Sequence, residues 1–475
     1  MSSIQWSAVL YFVGWILLGF SIVLFLVAFA SLLLNEPYAM LFFIVFIIVL
    51  LSGLLIIRLI EKPVNIGVLD SLIVAILSFF IPGILHTLVM VLCGFDFWDS
   101  LFESISGITT TGLSVYDAAS LPRTILFSRA LLQWIGGVGI VILTLGMLLR
   151  PGTMAYKLLA THIRKEAVMP SIMVVARAVI MIYSVLTVVA IVFYRIAGMD
   201  WFESIVHGLT TISTGGFSTR AYLTGSTVIV ALVFMFISAQ SFPRYYMAFL
   251  KRKPKYIGMG PQIKYFVAIN IVAIVLSYIA VNASSVNISF GDIVFTIISA
   301  STTTGYASVS IDELPIVVKY IVIVLMVIGA SLGSTGGGFK QYRLILLLKE
   351  VWRRVLKTVS PQGRILTVRL EGETVDDDEI YMAMLVINLY LIALVVSTIV
   401  FLYAGYSFID SLFTVASALG TVGLAPSIVS QSMQWWIKLL LSIDMFLGRL
   451  EILPVVAVMA HGIEEVKKSL RSLSL

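Results

Sequence analysis

Ten separate stretches of this chain are apolar for long enough to cross a lipid bilayer, and that restricts the fold before any motif is considered. About 20 apolar residues of helix span the roughly 30 Å of hydrocarbon. Inside it, only helices or closed barrels satisfy their own backbone hydrogen bonds. The stretches cover 8–34, 38–58, 67–93, 124–149, 169–197, 223–250, 264–283, 315–349, 380–405 and 432–462. Only 12% of the 475 residues are charged, where a soluble domain carries about 25%. So few charges cannot cover a globule with water-compatible surface, so the apolar excess faces lipid. The first stretch lacks a basic leader and is too long for a signal h-region, so it reads as a retained span. The expectation is an all-α polytopic membrane protein with about ten transmembrane helices in contact with membrane lipid.

Basic residues set the orientation. They gather in every second loop: Arg150, Lys157, Arg164 and Lys165; then Arg244, Lys251, Arg252, Lys253, Lys255 and Lys264; then Lys349, Arg353, Arg354, Lys357, Arg364 and Arg369; then Lys467, Lys468 and Arg471. The opposite loops hold few, Arg123 and Arg220 being the clearest. Ten spans place every cluster on one side, and the positive-inside rule makes that side, with both termini, cytoplasmic. Removing one span scatters them. The net charge of +6 therefore reads as cytoplasmic loops of a cell-membrane protein, not as a nucleic-acid surface. The lone Cys93 allows no intrachain disulfide.

Between spans lie four semi-polar stretches, 98–115, 201–218, 291–308 and 409–426. They are too short to cross and too apolar for solvated loops, so they read as re-entrant segments around one cavity. They are also copies of each other. Asp99, Asp292 and Asp410 each stand three residues before a phenylalanine (Phe102, Phe295, Phe413). Gly112, Gly305 and Gly423 stand ten after it. The second stretch fits the frame with Glu203, Val206 and Gly216. The unit is span, short helix, glycine turn, span, repeated four times. The chain divides into two N-terminal helices (1–65), repeat 1 (66–150), repeat 2 (168–250), repeat 3 (263–350, with an intramembrane loop at 329–338), a cytoplasmic connector (351–378), and repeat 4 with a C-terminal tail (379–475).

The spacing has a chemical meaning. An acid is favoured at a helix N-terminus by the macrodipole, and the partially negative C-terminus then points at the Thr-rich run. Four such ends aimed at one axis favour a cation. Glycine admits φ > 0, so each turn can expose consecutive carbonyls, which can replace an ion's hydration shell. A single Thr-Thr-Gly would read as small-residue helix contact; four in register do not.

Two further features stand at membrane depth. The run Gly329-Ala-Ser-Leu-Gly333-Ser-Thr-Gly-Gly-Gly338 breaks its span, since three adjacent glycines cost a helix about 3 kcal/mol relative to alanine. It lines protein or water, or else brings helices close. It lacks the Gly-x4-Gly-Lys-Ser/Thr pattern of a nucleotide loop. Arg449 lies in the last span, where an arginine is a functional hypothesis by default; the alternative is a pair with Asp444 or Glu451. The connector is basic and then acidic at Asp376, Asp377, Asp378 and Glu379, which fits a solvated link or a docking surface. No His-Glu-x-x-His or Gly-x-Ser-x-Gly stands on a span, which argues against an enzyme. A coupled transporter with discontinuous helices is the rival architecture, but its repeats are typically larger, multi-span units.

Four motifs resemble the Trk/Ktr/HKT superfamily of cation transporters, and in particular the Trk-type potassium uptake membrane subunit. They are Phe-Glu-Ser-Ile-Ser-Gly-Ile-Thr-Thr-Thr-Gly112, His207-Gly-Leu-Thr-Thr-Ile-Ser-Thr-Gly-Gly216-Phe-Ser, Gly-Ala-Ser-Leu-Gly-Ser-Thr-Gly-Gly-Gly338-Phe-Lys and Leu-Gly-Arg449-Leu-Glu451. The two extra N-terminal spans fit the Trk branch. The resemblance implies a pseudo-fourfold pore within one chain, usually paired as a homodimer, with potassium as cargo and no cofactor. It implies ion contact with backbone oxygens around Thr110, Thr111 and Gly112; Thr214, Gly215 and Gly216; Thr303, Thr304 and Gly305; and Thr421, Val422 and Gly423. Members with serine at the first filter glycine tend to conduct sodium; four glycines favour potassium. It makes Gly329, Gly333, Ser334, Thr335, Gly336, Gly337, Gly338 and Lys340 a gate below the filter, with Arg449 beneath it. It also implies a cytosolic nucleotide-binding regulatory ring as partner. Two features depart from the family pattern: Gly215 precedes Gly216, and the span after the second filter, Ser-Ala-Gln-Ser-Phe-Pro-Arg244, lacks a glycine pair.

Overall fold

The computed structural model describes residues 4–148, 172–250, 260–361, 364, 366–370 and 373–473. The basic clusters at 150–165 and 251–255, and the repeat boundaries at 150 and 168, lie outside the described residues. Two N-terminal helices, α1 (Trp6–Leu33) and α2 (Ala39–Leu59), pair with each other, and α1 lies against repeat 1. Met40, Ile48, Leu51, Leu55 and Leu59 of α2 are exposed, an apolar face suited to lipid.

Repeat 1 is α3 (Val68–Leu92), α4 (Phe97–Ile108) and α5 (Arg123–Leu148). Repeat 2 is α6 (Ile172–Ile196), α7 (Trp201–Ile212) and the pair α8 (Ser226–Ser238) and α9 (Phe242–Leu250). Repeat 3 is α10 (Pro261–Asn282), α11 (Phe290–Ser301), α12 (Ile316–Ile328) and, beyond a loop, α13 (Gln341–Val359). Repeat 4 is α14 (Asp377–Tyr403), α15 (Phe408–Leu419), α16 (Trp435–Arg449) and α17 (Leu453–Leu473).

The four short helices have the same length, 12 residues, and are started alike. Asp96, Asp200, Ser289 and Ser407 are the N-caps, each side chain accepting a backbone N–H of the first turn. The acids read from the sequence fall in that first turn. In three repeats the preceding span closes with a left-handed glycine two residues before the cap: Gly94, Gly198 and Gly405, at φ 96°, 101° and 92°. The following N–H bonds back to Met90, Tyr194 and Phe401, the Schellman closure. A long span can therefore turn into a short re-entrant helix within a few residues.

Each short helix lies against the first span of its own repeat and the second span of the previous one: α4 against α16, α7 against α5, α11 against α8, α15 against α12. The order closes on itself, so the four units form a ring. Two seams carry equivalent ion pairs. Lys319 Nζ lies 3.4 Å from Asp410 Oδ1, and Lys438 Nζ lies 2.5 Å from Asp99 Oδ1. The second pair is buried and joins the ends of the ring. Lys438→Met leaves Asp99 buried without its cation and should cost about 3–5 kcal/mol. A marked fall in the unfolding midpoint in detergent checks this, with Asp99→Asn in the same chain restoring most of it.

Seven helices are long and apolar enough to cross a membrane, or eight counting α8 with α9, among the described residues. The remaining two of the ten expected stretches are broken spans. The stretch 315–349 stops at Gly329, as its glycines require. The stretch 223–250, one uninterrupted span by its hydropathy, instead bends by 83° between α8 and α9. Pro243 has no N–H to give and its ring would clash with the carbonyl of Ala239, and Phe242 N instead donates to Gly333 O at 2.9 Å. The stretch 432–462 also breaks, at left-handed Glu451 and Ile452 (φ 63° and 54°), with Pro454 barring a straight continuation. The boundary drawn at 350/351 falls inside α13. Beyond it, β1 (Arg369–Leu370) pairs antiparallel with β2 (Glu373–Thr374). Val368, Leu370 and Val375 are buried in a cluster with Ile345 and Leu346 of α13 and Ile380 of α14. The connector thus packs back on the helices it joins.

Candidate functional site

The turn after each short helix has one backbone conformation, repeated four times. Thr110, Thr214, Thr303 and Thr421 are left-handed, at φ 53°, 51°, 55° and 47°. Two residues on, Gly112, Gly216, Gly305 and Gly423 have φ 86°, 74°, 84° and 100°. A β-branched residue at positive φ is a genuine outlier. Four at one register are strain that the surrounding structure holds in place, as functional sites do.

The turns close on one another in repeat order. A Cβ on Gly112 would strike Gly215 O; on Gly216, Thr304 O; on Gly305, Val422 O; on Gly423, Thr111 O. Each glycine therefore sits against the carbonyl one residue before the glycine of the next repeat, and the last closes on the first. Twelve residues named from the sequence, Thr110 to Gly112, Thr214 to Gly216, Thr303 to Gly305 and Thr421 to Gly423, thus meet in one ring. The hydroxyls of Thr110 and Thr421 are buried with no hydrogen-bond partner.

On one face of the ring is a cavity of about 360 Å³ bordered by all four glycines, with Asp117, Asp312, Arg129 and Arg220 in its wall. On the opposite face of the ring lies the glycine-rich loop between α12 and α13. Gly337 N donates to Thr303 Oγ1 at 2.7 Å, and Gly338 N to Gly420 O at 3.1 Å. Thr335 Oγ1 lies 3.1 Å from Ile212 O and 3.2 Å from Ser238 O. The loop is thereby tied to the inner ends of turns 2, 3 and 4. Gly329 O accepts from Gln341 Nε2 at 3.2 Å, Gly333 O from the bend between α8 and α9, and Ser334 Oγ donates to Ser331 O at 2.6 Å. Lys340, left-handed and buried, reaches back to Gly336 O.

Arg449 completes the enclosure. It is 2% exposed, and donates from Nη1 to Thr335 O at 2.7 Å and from Nη2 to Gly136 O at 3.0 Å. Neither Asp444 nor Glu451 is ion-paired to it: Asp444 Oδ1 accepts from Ser397 Oγ at 2.9 Å, and Glu451 pairs with Arg343. The arginine therefore joins the loop of repeat 3 to the second span of repeat 1.

Several polar groups around the ring lie outside the motifs the sequence displays. Glu103 and Arg129 form an enclosed pair at 3.0 Å behind turn 1, with Glu103 Oε1 accepting from Val115 N at 2.8 Å. Tyr306 reaches across a seam to Thr210 Oγ1 and Thr211 Oγ1 at 2.5 and 3.0 Å. Gln133 of α5 bonds to turn 2. The available signal was an ionisable or amide side chain within an apolar stretch.

A helical chain of four span–re-entrant helix–span units closed into a ring is a polytopic membrane protein of pore-loop architecture. The TrkH family, described as a cation transport protein, matches residues 84–271 and 261–468. The Trk system potassium uptake protein TrkG of Escherichia coli K12 is 31% identical, over 76% of this chain and 77% of its own length. An uncharacterised cation transporter of Methanocaldococcus jannaschii is 29% identical, over 84% of each chain. The crystal structure of the potassium transporter TrkH from Vibrio parahaemolyticus superposes with a TM-score of 0.86 at 26% identity, over 96% of this chain and 98% of that one. The chain belongs to the TrkH family of cation transport proteins; it is a membrane transporter, not an enzyme.

Proposed function

We propose that this chain is a potassium uptake pathway of the cell membrane, in which ions cross the ring of four turns and are held back by the loop beneath it. The observation that carries the reading is the closed ring of four turns sharing one backbone conformation, each presenting a carbonyl to its neighbour's glycine. Such a ring can exchange an ion's hydration water for backbone oxygens. The partnerless hydroxyls of Thr110 and Thr421 supply further oxygens for a cation. Potassium is favoured by the four glycines and by the activity named for TrkG and for the Vibrio transporter. An inside-negative potential drives entry by about 2.3 kcal/mol per charge per 100 mV, so this chain needs no nucleotide chemistry.

In this reading the loop from Gly329 to Lys340 is the gate and Arg449 its latch and electrostatic barrier. Both termini face the cytoplasm, as the basic loops favour. The chain works as a homodimer under a cytosolic nucleotide-binding ring that docks on the connector and α13, where Arg354 and Lys357 are exposed. Expression in a bacterial strain stripped of its own potassium uptake systems tests the function. Growth at low external potassium that Gly216→Ser abolishes is the expected result. Growth no better than with an empty vector, with the chain present in the membrane, overturns it.

A further inference from the structure

The four turns share a backbone, but they are not held in the same way. In repeats 1 and 3 the residue before the ring glycine is a threonine latched to the threonine two positions back: Thr111 Oγ1 to Thr109 Oγ1 at 2.7 Å, and Thr304 Oγ1 to Thr302 Oγ1 at 3.0 Å. In repeat 4 that residue is the buried Val422, and Gly423 N donates to Ser417 Oγ at 3.1 Å. Repeat 2 has neither device. Gly215 offers no side chain, and Ser213 Oγ is spent on Thr210 O at 3.1 Å. Two adjacent glycines are the least restrained backbone possible, and here they occupy the ring itself.

The missing side chain is supplied from another repeat. Gln133, fully buried on α5, donates from Nε2 to Gly215 O at 2.6 Å and accepts at Oε1 from Phe217 N at 3.2 Å. The two bonds straddle Gly216. They also fix the amide's orientation, since turning it over would set donor against donor and acceptor against acceptor. A Cβ at position 215 would fall on the Gln133 amide, which explains why the threonine of repeats 1 and 3 is absent here. One turn earlier on α5, the Arg129 guanidinium stacks 3.9 Å above the Phe217 ring, so a single helix face grips the turn on both sides.

We propose that Gln133 is a positioning residue for ion selectivity: it holds turn 2 so that the Gly215 carbonyl keeps its place in the ring. This rests on the reading of the ring as the selectivity filter. Both the size of the coordination cage and the number and field strength of its carbonyl dipoles bear on selectivity, and a turn free to rotate its 215–216 peptide changes both, so discrimination weakens before flow stops.

The test is rubidium uptake into liposomes holding the purified full chain, with potassium or sodium as competitor. Gln133→Met keeps the bulk and removes both hydrogen bonds. The preference for potassium should fall roughly five- to tenfold, the effect of losing about one hydrogen bond's worth of restraint, while uptake persists. Gln133→Glu keeps the acceptor toward Phe217 and removes the donor to Gly215; it should shift the preference the same way, and serves if the methionine variant fails to fold. A double Gln133→Ala, Gly215→Thr variant restores the threonine of repeats 1 and 3 in the vacated space and should recover part of the preference. An unchanged preference in Gln133→Met, or uptake falling equally for all ions along with thermal stability, overturns the proposal. Gly216→Ser separates the two readings. If it removes the preference and Gln133→Met does not, the filter stands and the role of Gln133 falls. If neither changes it, the filter reading falls first.

Discussion

Gly305→Ala should reduce rubidium uptake by more than tenfold in a chain that still assembles in the membrane. Two penalties act together. At φ 84° an alanine is forced into the left-handed region, at about 1–2 kcal/mol. Its Cβ is also driven into the carbonyl of Val422. The second penalty is the larger, because the obstacle is backbone of the neighbouring turn and cannot swing aside as a side chain would. Relief requires widening the ring or rotating the Val422 carbonyl, and either change alters the oxygens an ion meets. Gly94→Ala separates the two effects. Gly94 has φ 96° with nothing within 4 Å of the added carbon, so it carries the dihedral penalty alone. Uptake per molecule should stay near wild type there, with only a modest fall in stability. Equal losses in the two variants would assign the effect to backbone strain in general, not to the ring.

Arg449→Ala should raise uptake, on the order of tenfold, which corresponds to about 1.4 kcal/mol off the barrier. The guanidinium is enclosed beneath the ring and makes no ion pair with the nearby carboxylates, among the described residues. In the proposed pathway a passing cation meets this charge, which the nearby Glu451 offsets only in part because that carboxylate is paired with Arg343. Its two hydrogen bonds, to Thr335 O and Gly136 O, also hold the glycine-rich loop against the inner ends of the turns. Charged hydrogen bonds of this kind contribute about 1.5–3 kcal/mol each. The alanine variant loses both the charge and the tether, and the two effects act in the same direction. Arg449→Lys keeps the charge without the two-pronged geometry and should fall between. Unchanged flux with normal expression would count against both roles.

The ring was legible in the sequence because it is written four times. An acid, a phenylalanine and a glycine at fixed spacing survive comparison within a single chain, so Asp99, Phe102 and Gly112 could be matched to Asp410, Phe413 and Gly423. The break at Gly329 was legible from local cost: three adjacent glycines, Gly336, Gly337 and Gly338, penalise a continuous helix by about 3 kcal/mol relative to alanine. The breaks at Pro243 and Glu451 were not. A proline inside an apolar run is common in membrane helices, since neighbouring groups can satisfy the freed backbone. The deciding contact, Phe242 N to Gly333 O, lies between distant parts of the chain. The same holds for Gln133. Its partner Gly215 is 82 residues away, and no periodicity within α5 records that an amide must fill the space of an absent threonine. The paired caps Gly94–Asp96, Gly198–Asp200 and Gly405–Ser407 were visible in principle. They flank the repeat frame, outside the acid, phenylalanine and glycine used to align it.

The most direct measurement of the central claim is rubidium uptake by the purified chain in liposomes under an inside-negative potential, titrated with potassium and with sodium. A ring of four glycine turns lined by carbonyls predicts that potassium blocks uptake at far lower concentration than sodium does. Block by both ions at the same concentration overturns the claim and leaves a weakly selective cation path.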